Sequence, residues 1–314
     1  MKLNGIITAA LTPLSSDGEA LADTGVFEKY YRFLLDRKIN GLFVCGTTGE
    51  GMVLTLAERK KVAERAVRIV SNEVPLLVHV GCNSTAESIE LVRHAASIHA
   101  QGAAVVTPYF YTYDRTAIAA HYRAIANAVP DLPIFMYYLP SYTHNDLPPS
   151  LVAELCADCP NITGLKHSDS DQIRLQEYRQ AVDDHFTLLS GDDSVALAAL
   201  TLGADGCVTG KSSTFPEMLV AIYEAFRKGD ISAARMLQSN LNRLIGGLLD
   251  VGDGIGLAYF KAALCYRGLD IGGMRLPQRR LTQNEEAELI AGLDRLAPYS
   301  SPPGSWLFPN RVEL

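Results

Sequence analysis

Three observations predict an α/β fold, a (β/α)8 TIM barrel with a C-terminal helical extension. Eight short β-rich runs alternate with helical patterns, the runs are apolar on both faces, and the segment 1–230 that holds them is near the size of one such barrel. Strands buried on both faces and always separated by a helix belong to a parallel sheet, because each crossover covers a face. A doubly wound open sheet is the alternative, since alternation does not prove closure, but no G-x-G-x-x-G opens the first helix.

The first strand candidate is GIITAALTPL (5 to 14); Asn4, Thr8, Thr12 and Pro13 interrupt the apolar amino terminus, which reads as a strand and not a signal peptide. INGLFVCGTTGE (39 to 50) ends in a glycine-bounded turn. The helix pattern TLAERKKVAERAVRIVSN follows, with apolar residues three and four apart behind a leading Thr. PLLVHVGC (75 to 82) and STAESIELVRHAASIHA repeat that strand and helix unit. GAAVVTPYF (102 to 110), PIFMYYLP (133 to 140), NITGLKHS (161 to 168), FTLLSGDD (186 to 193) and GADGCVTG (203 to 210) complete the eight. Beyond them ISAARMLQSNLNRLIGGLL, GIGLAYFKAALCYRG and TQNEEAELIAGLDRLA are helical, so the chain divides into a catalytic barrel, 1–230, and a helical extension, 231–314.

With 48% hydrophobic residues and a mean hydropathy of +0.07 the chain reads as soluble and globular. No apolar run approaches roughly 18 residues, so no membrane span is expected. A net charge of −7 without a basic cluster argues against nucleic-acid and membrane partners and for a small molecule. Six cysteines without an export signal imply reduced thiols and a cytoplasmic protein. The C-x-x-C at Cys156 and Cys159 ends an amphipathic run with no second Cys or His pair nearby, and the seven histidines lack H-E-x-x-H spacing, so no metal is expected.

Barrel active sites lie at the carboxyl ends of the strands. Four ends carry polar residues: Gly46-Thr47-Thr48-Gly49-Glu50 after the second strand, Tyr137 and Tyr138 in the fifth, Lys166 in the sixth, and Gly191-Asp192-Asp193 after the seventh. A lysine in a barrel mouth, lined by Phe135, Met136 and Leu165, is expected to be desolvated toward its neutral amine. Moving the pKa from about 10.4 to about 7 raises the neutral fraction about a thousandfold. A neutral amine attacks ketones. The competing reading pairs Lys166 with a carboxylate such as Asp192 as a structural contact. Lys211, after the eighth strand, is the rival nucleophile, expected in a loop with its side chain solvated. His167, next to Lys166, would point to the opposite face. Thr47 and Thr48 could instead cap the turn into the following helix, and Glu50 reads as an anchor for that loop.

GTTGE, the Y-x-x-P from Tyr137 to Pro140, the G-x-K from Gly164 to Lys166, GADGCVTG and a G-x-x-R-x-P from Gly272 to Pro277 together resemble the dihydrodipicolinate synthase and N-acetylneuraminate lyase superfamily of class I pyruvate aldolases. The resemblance runs from about residue 5 to 300. It implies that Lys166 condenses with pyruvate, or with a 2-keto acid about to be cleaved, giving a Schiff base that serves as electron sink without a metal or other cofactor. It implies that Thr47 and Thr48, in the loop bounded by Gly46 and Gly49, hold the pyruvyl carboxylate. Tyr137 would shuttle the proton of the C4 hydroxyl through Thr47, and Val208 and Gly210 would line the pyruvate pocket. It further suggests a homo-oligomer, a dimer or a tetramer built from two dimers.

Two departures bear on the activity. Many family members carry a second tyrosine after Thr-Pro-Tyr that reaches the neighbouring subunit's site; here the position is Phe110, leaving Tyr109, Tyr111 or Tyr137 alone to serve. Dihydrodipicolinate synthases commonly read P-S-R-T-G where this chain reads Pro140-Ser141-Tyr142-Thr143-His144, so Tyr142 stands in place of the cation for aspartate semialdehyde. The expected activity is therefore that of a pyruvate aldolase or lyase acting on a 2-keto-3-deoxy sugar acid or related hydroxylated 2-keto acid. Dihydrodipicolinate synthase, a family dehydratase and a noncatalytic pyruvate sensor are the alternatives.

Overall fold

The fold is taken from a computed structural model, which describes residues 2–249 and 256–296; the parts of the expected extension at 250–255 and 297–314 lie outside the described residues. Eight strands, β1 (Gly5–Ala9), β2 (Gly41–Val44), β3 (Leu76–His79), β4 (Gly102–Val106), β5 (Ile134–Tyr138), β6 (Ile162–His167), β7 (Thr187–Ser190) and β8 (Gly206–Thr209), form a closed parallel barrel in sequence order. Closure is made by β1 and β8, paired from Gly5 with Gly206 to Thr8 with Thr209, and it excludes the open sheet. Helices separate successive strands, as the length of a parallel crossover requires. Thr55 starts the helix Leu56–Val70 with a reciprocal capping box to Glu58, and Ser84 caps Thr85–Ser97 by accepting from the Glu87 N–H.

Alternation along each strand sorts the side chains into two cores. Ile7, Phe43, Leu77, Ala104, Phe135 and Tyr137 fill the barrel, while Leu42, Val44, Met136, Leu165 and Leu188 pack outward with the surrounding helices. Met136 and Leu165 therefore do not line the surroundings of Lys166, contrary to the sequence expectation, because each sits one residue out of phase with the interior set. Tyr138 turns outward for the same reason, so only Tyr137 of that pair faces inward. His167 also points out, its ring stacked on Tyr138 at 5.7 Å between centroids, and neither ring nitrogen finds a hydrogen-bond partner among the described residues.

The helices Ile231–Leu249, Gly256–Tyr266 and Gln283–Leu296 bring Leu241, Tyr259 and Leu289 into one apolar cluster with Ile6 and Cys207. Ile6 and Cys207 are partners in the β1–β8 register, so these helices cover the seam at which the barrel closes. A buried ion pair adds a second tie: Lys261 Nζ lies 2.7 Å from Glu50 and donates to the Gly273 carbonyl at 2.5 Å. Glu50 also accepts from the Arg275 N–H at 2.9 Å. Glu50 thus anchors the loop after β2 to the G-x-x-R-x-P segment.

Burial holds His121 and His167 neutral, lowering each pKa to about 4. In the unfolded chain both bind protons near the ordinary value of about 6.5, so the unfolded state carries more protons between pH 6.5 and 4, and stability rises with pH across that window. The urea midpoint is expected to be level above pH 6.5 and to fall as the pH is lowered from 6.5 toward 5, before most carboxylates titrate. A midpoint that stays constant to pH 5 would refute this.

Candidate active site at the carboxyl end of the barrel

Lys166 and Tyr137 are partners in the β5–β6 register. Both belong to the inward phase, so their side chains meet in the barrel mouth. Lys166 is buried, with 6% of its surface exposed; its Nζ lies 4.1 Å from the Tyr137 ring centroid and 4.7 Å from that of Phe43. Among the described residues it pairs with no carboxylate, whereas Lys211 lies 3.2 Å from Asp193. Asp192, the partner considered for a structural Lys166, instead accepts from the N–H and hydroxyl of Ser194 at 2.9 and 2.6 Å. Two glycines make room. A Cβ at Gly164 would stand 2.3 Å from the Phe135 ring, and one at Gly191 would stand 3.0 Å from Lys166 Cε and 1.8 Å from Ser168 Oγ.

Thr47 Oγ1 lies 3.5 Å from the Tyr137 hydroxyl. Burial pushes the Tyr137 phenol up, but the Lys166 charge and hydrogen bonds with Thr47, Lys166 and Ser168 outweigh it, holding the phenol below its ordinary value. The helix after the loop is capped by Thr55, which leaves Thr47 and Thr48 free of the capping role. His79, inward at the end of β3, was missed in the sequence. Its ring meets Tyr137 edge on at 5.9 Å, and burial, followed by the Arg59 and Lys166 charges, holds it well below the usual histidine range. Strand parity alone could have flagged it, because PLLVHVGC puts His79 two residues after the inward Leu77.

A cavity of about 540 Å³ opens above Lys166, lined among the described residues by Thr47, Thr48, Tyr137, Lys166, Val208 and Gly210, with Tyr142 on its wall. Tyr142 is 68% exposed. Gly46 and Gly49 do not line it. A Cβ on Gly46 would meet the Phe43 ring at 2.4 Å, and the Gly49 carbonyl accepts from Thr12 Oγ1 at 2.6 Å, so both shape the loop from beneath. The remaining wall includes Ser168, Asp169, Asp192, Asp193 and Lys211. Lys211 corrects the sequence reading: it stands in a short helical turn, Lys211–Ser213, half-buried and held by Asp193, so the outer cavity does contain a cation. Arg275 is engaged elsewhere, with Glu58 at 2.7 Å and the Gly18 carbonyl at 2.6 Å. Phe110 is 80% exposed and lies against Tyr111. Neither Tyr109 nor Tyr111 of the same chain lines the cavity.

A sequence profile described as the Dihydrodipicolinate synthetase family matches residues 2–296. The chain belongs to that family. It is 38% identical over 293 residues to an uncharacterized DapA-like lyase of Halobacterium salinarum, covering 93% of each chain. It is 33% identical to the 4-hydroxy-tetrahydrodipicolinate synthase of Methanoculleus marisnigri, covering 91% of this chain and 96% of that one. With the N-acetylneuraminate lyase of Rattus norvegicus it shares 34% identity over 96% of this chain and 95% of the relative. Among solved structures, YagE of E. coli K12, a member of the dihydrodipicolinic acid synthase family crystallised in complex with pyruvate, superposes with a TM-score of 0.88 at 28% identity, covering 93% of this chain and 98% of that one. As a member of this family the protein is a lyase of the class I aldolase type.

Changing Gly191 to Ala places a methyl group where Ser168 Oγ and the Lys166 stem now pass. Displacing reacting groups by about 1 Å costs on the order of 10²-fold in rate. Gly191→Ala is therefore expected to lose about that much lyase activity while keeping its circular dichroism spectrum. Full activity in the variant would show that Lys166 has a second way into the cavity.

Proposed function

We propose that the protein is a Schiff-base-forming class I aldolase that uses pyruvate, cleaving or forming a 2-keto-3-deoxy sugar acid or a related hydroxylated 2-keto acid. The observation that carries this reading is a buried lysine amine without a carboxylate partner, set beside the Tyr137 phenol at the mouth of the barrel. Lys166 attacks the keto carbon, water leaves, and the resulting iminium takes up the electron pair of the breaking carbon–carbon bond as an enamine. Thr47 and Thr48 bind the carboxylate of the keto acid, while Val208 and Gly210 close the pyruvate end of the cavity. Tyr137 takes the proton of the hydroxyl next to the breaking bond and returns it in the synthetic direction.

The acceptor end of the cavity favours a neutral polyol. Asp169, Asp192 and Asp193 share that wall with Lys211, whose ammonium is already held by Asp193. An aldehyde with its own carboxylate meets more negative charge than positive there, and an uncompensated buried carboxylate is heavily penalised. Dihydrodipicolinate synthase is the second reading, favoured by relatives that carry that activity in their names.

Borohydride reduction in the presence of pyruvate is expected to label Lys166; label on Lys211, or none, would overturn the mechanism. With pyruvate saturating, neutral polyhydroxylated aldehydes are expected to exceed aspartate semialdehyde by about 10²-fold in kcat/KM, the size of a lost charge-assisted interaction. If aspartate semialdehyde is the better acceptor, the second reading replaces the first. Tyr137→Phe should retain labelling of Lys166 but slow carbon–carbon cleavage by about 10²-fold. An equal loss of both steps would assign the phenol to binding.

A further inference from the structure

Ser168 is the hydroxyl residue nearest the chemistry that the reading above leaves unused. It follows β6, and pairing continues past the strand end, because its N–H donates to the Tyr138 carbonyl at 2.9 Å and the Gly191 N–H donates to the His167 carbonyl at 2.7 Å. Strand alternation therefore still applies: Lys166 faces in, His167 faces out, and Ser168 faces in again. Its side chain lines the same cavity as Lys166. Its Oγ fills the space that the missing side chain of Gly191 leaves, 1.8 Å from where a Cβ would be. That placement sets it beside the Lys166 stem in the cavity that Tyr137 also lines, and its hydroxyl is among the groups that hold the Tyr137 phenol below its ordinary value.

Other hydroxyls do not offer this. Position 110 is a phenylalanine and 80% exposed, Tyr111 is 63% exposed, and Tyr109 does not line the cavity. Ser141, Tyr142 and Ser170 line it but are exposed at its outer rim. Thr47 lies on the loop that holds the keto acid's carboxylate in the reading above, so Ser168 is the hydroxyl left to connect Tyr137 with the reacting carbon.

We propose that Ser168 is a catalytic proton-relay residue, carrying the proton between the Tyr137 oxygen and C3 of the keto acid bound to Lys166. In cleavage the Tyr137 phenolate accepts the proton of the substrate hydroxyl, the oxygen pair forms the aldehyde carbonyl, and the C3–C4 pair enters the enamine. After the aldehyde leaves, Tyr137 gives its proton to Ser168 as Ser168 gives its own to C3. The enamine π pair forms the new C–H bond, the nitrogen pair restores the iminium, and Tyr137 returns to the phenolate. One proton leaves oxygen and one reaches carbon, so no outside acid or base is consumed. Water then releases pyruvate from Lys166.

This proposal rests on the pyruvate reading, and the test separates the two. Full-length wild type, Ser168→Ala and Ser168→Thr are compared for borohydride trapping of pyruvate on Lys166, and for exchange of the pyruvate methyl hydrogens in D2O followed by NMR. Ser168→Ala is expected to keep trapping while exchange falls by about 10²-fold, the scale of a lost general acid–base step; Ser168→Thr, which keeps the hydroxyl, recovers most of the exchange. Unchanged exchange in Ser168→Ala overturns the relay, as does parallel loss of trapping, which would mark a structural role beside Lys166. Failure of Ser168→Thr to recover exchange also overturns it. Absence of trapping in the wild type overturns the pyruvate reading itself.

Discussion

A lysine amine buried in a barrel without a carboxylate beside it is the constraint on which the rest of the site depends. Burying a charge without a partner is costly, and lysines in protein interiors are ordinarily paired. Lys211 and Lys261 follow that rule with Asp193 and Glu50. Lys166 does not, and its surroundings are shaped accordingly: the faces of Phe43 and Tyr137 flank its Nζ, and the bare backbone of Gly191 leaves room for its stem. The nearby acids are kept occupied, Asp192 by capping Ser194 and Asp193 by holding Lys211.

The supports of that arrangement come from distant parts of the chain. The loop after β2 carries Thr47 to the Tyr137 hydroxyl, and Glu50 at its end is tied to Lys261 and to the backbone of Arg275. The helices after the barrel thus hold the loop in place as well as cover the seam between β1 and β8. Arg59, buried on the helix Leu56–Val70, donates to the His79 carbonyl at 2.8 Å and so ties that helix to the end of β3. At this end of the barrel the loop after β2 and the end of β3 are thus each anchored to a different element.

Much of this was legible in the residues. The strand and helix order followed from apolar runs and periodicity, and Thr55 and Ser84 marked their helices by composition. Period two made the opposite orientations of Lys166 and His167 a prediction, and the same rule, applied strictly, would have turned Tyr138, Met136 and Leu165 outward and His79 inward. Those errors arose because a barrel's two cores are both apolar, so hydrophobicity alone does not say which face a residue serves.

By itself the sequence determined the eightfold alternation, the family, and a lysine at the end of the sixth strand, because these depend on local pattern and short motifs. Only the tertiary structure decided that the barrel closes, since closure is a pairing between residues about two hundred positions apart, Gly5 with Gly206 and Thr8 with Thr209. It alone decided that Lys211 faces the cavity, because its direction depends on Asp193 from the neighbouring strand end. And it alone placed Ser168 in the cavity of Lys166 and Tyr137, because the space for that hydroxyl is made by the absence of a side chain at Gly191, which no local pattern around residue 168 encodes.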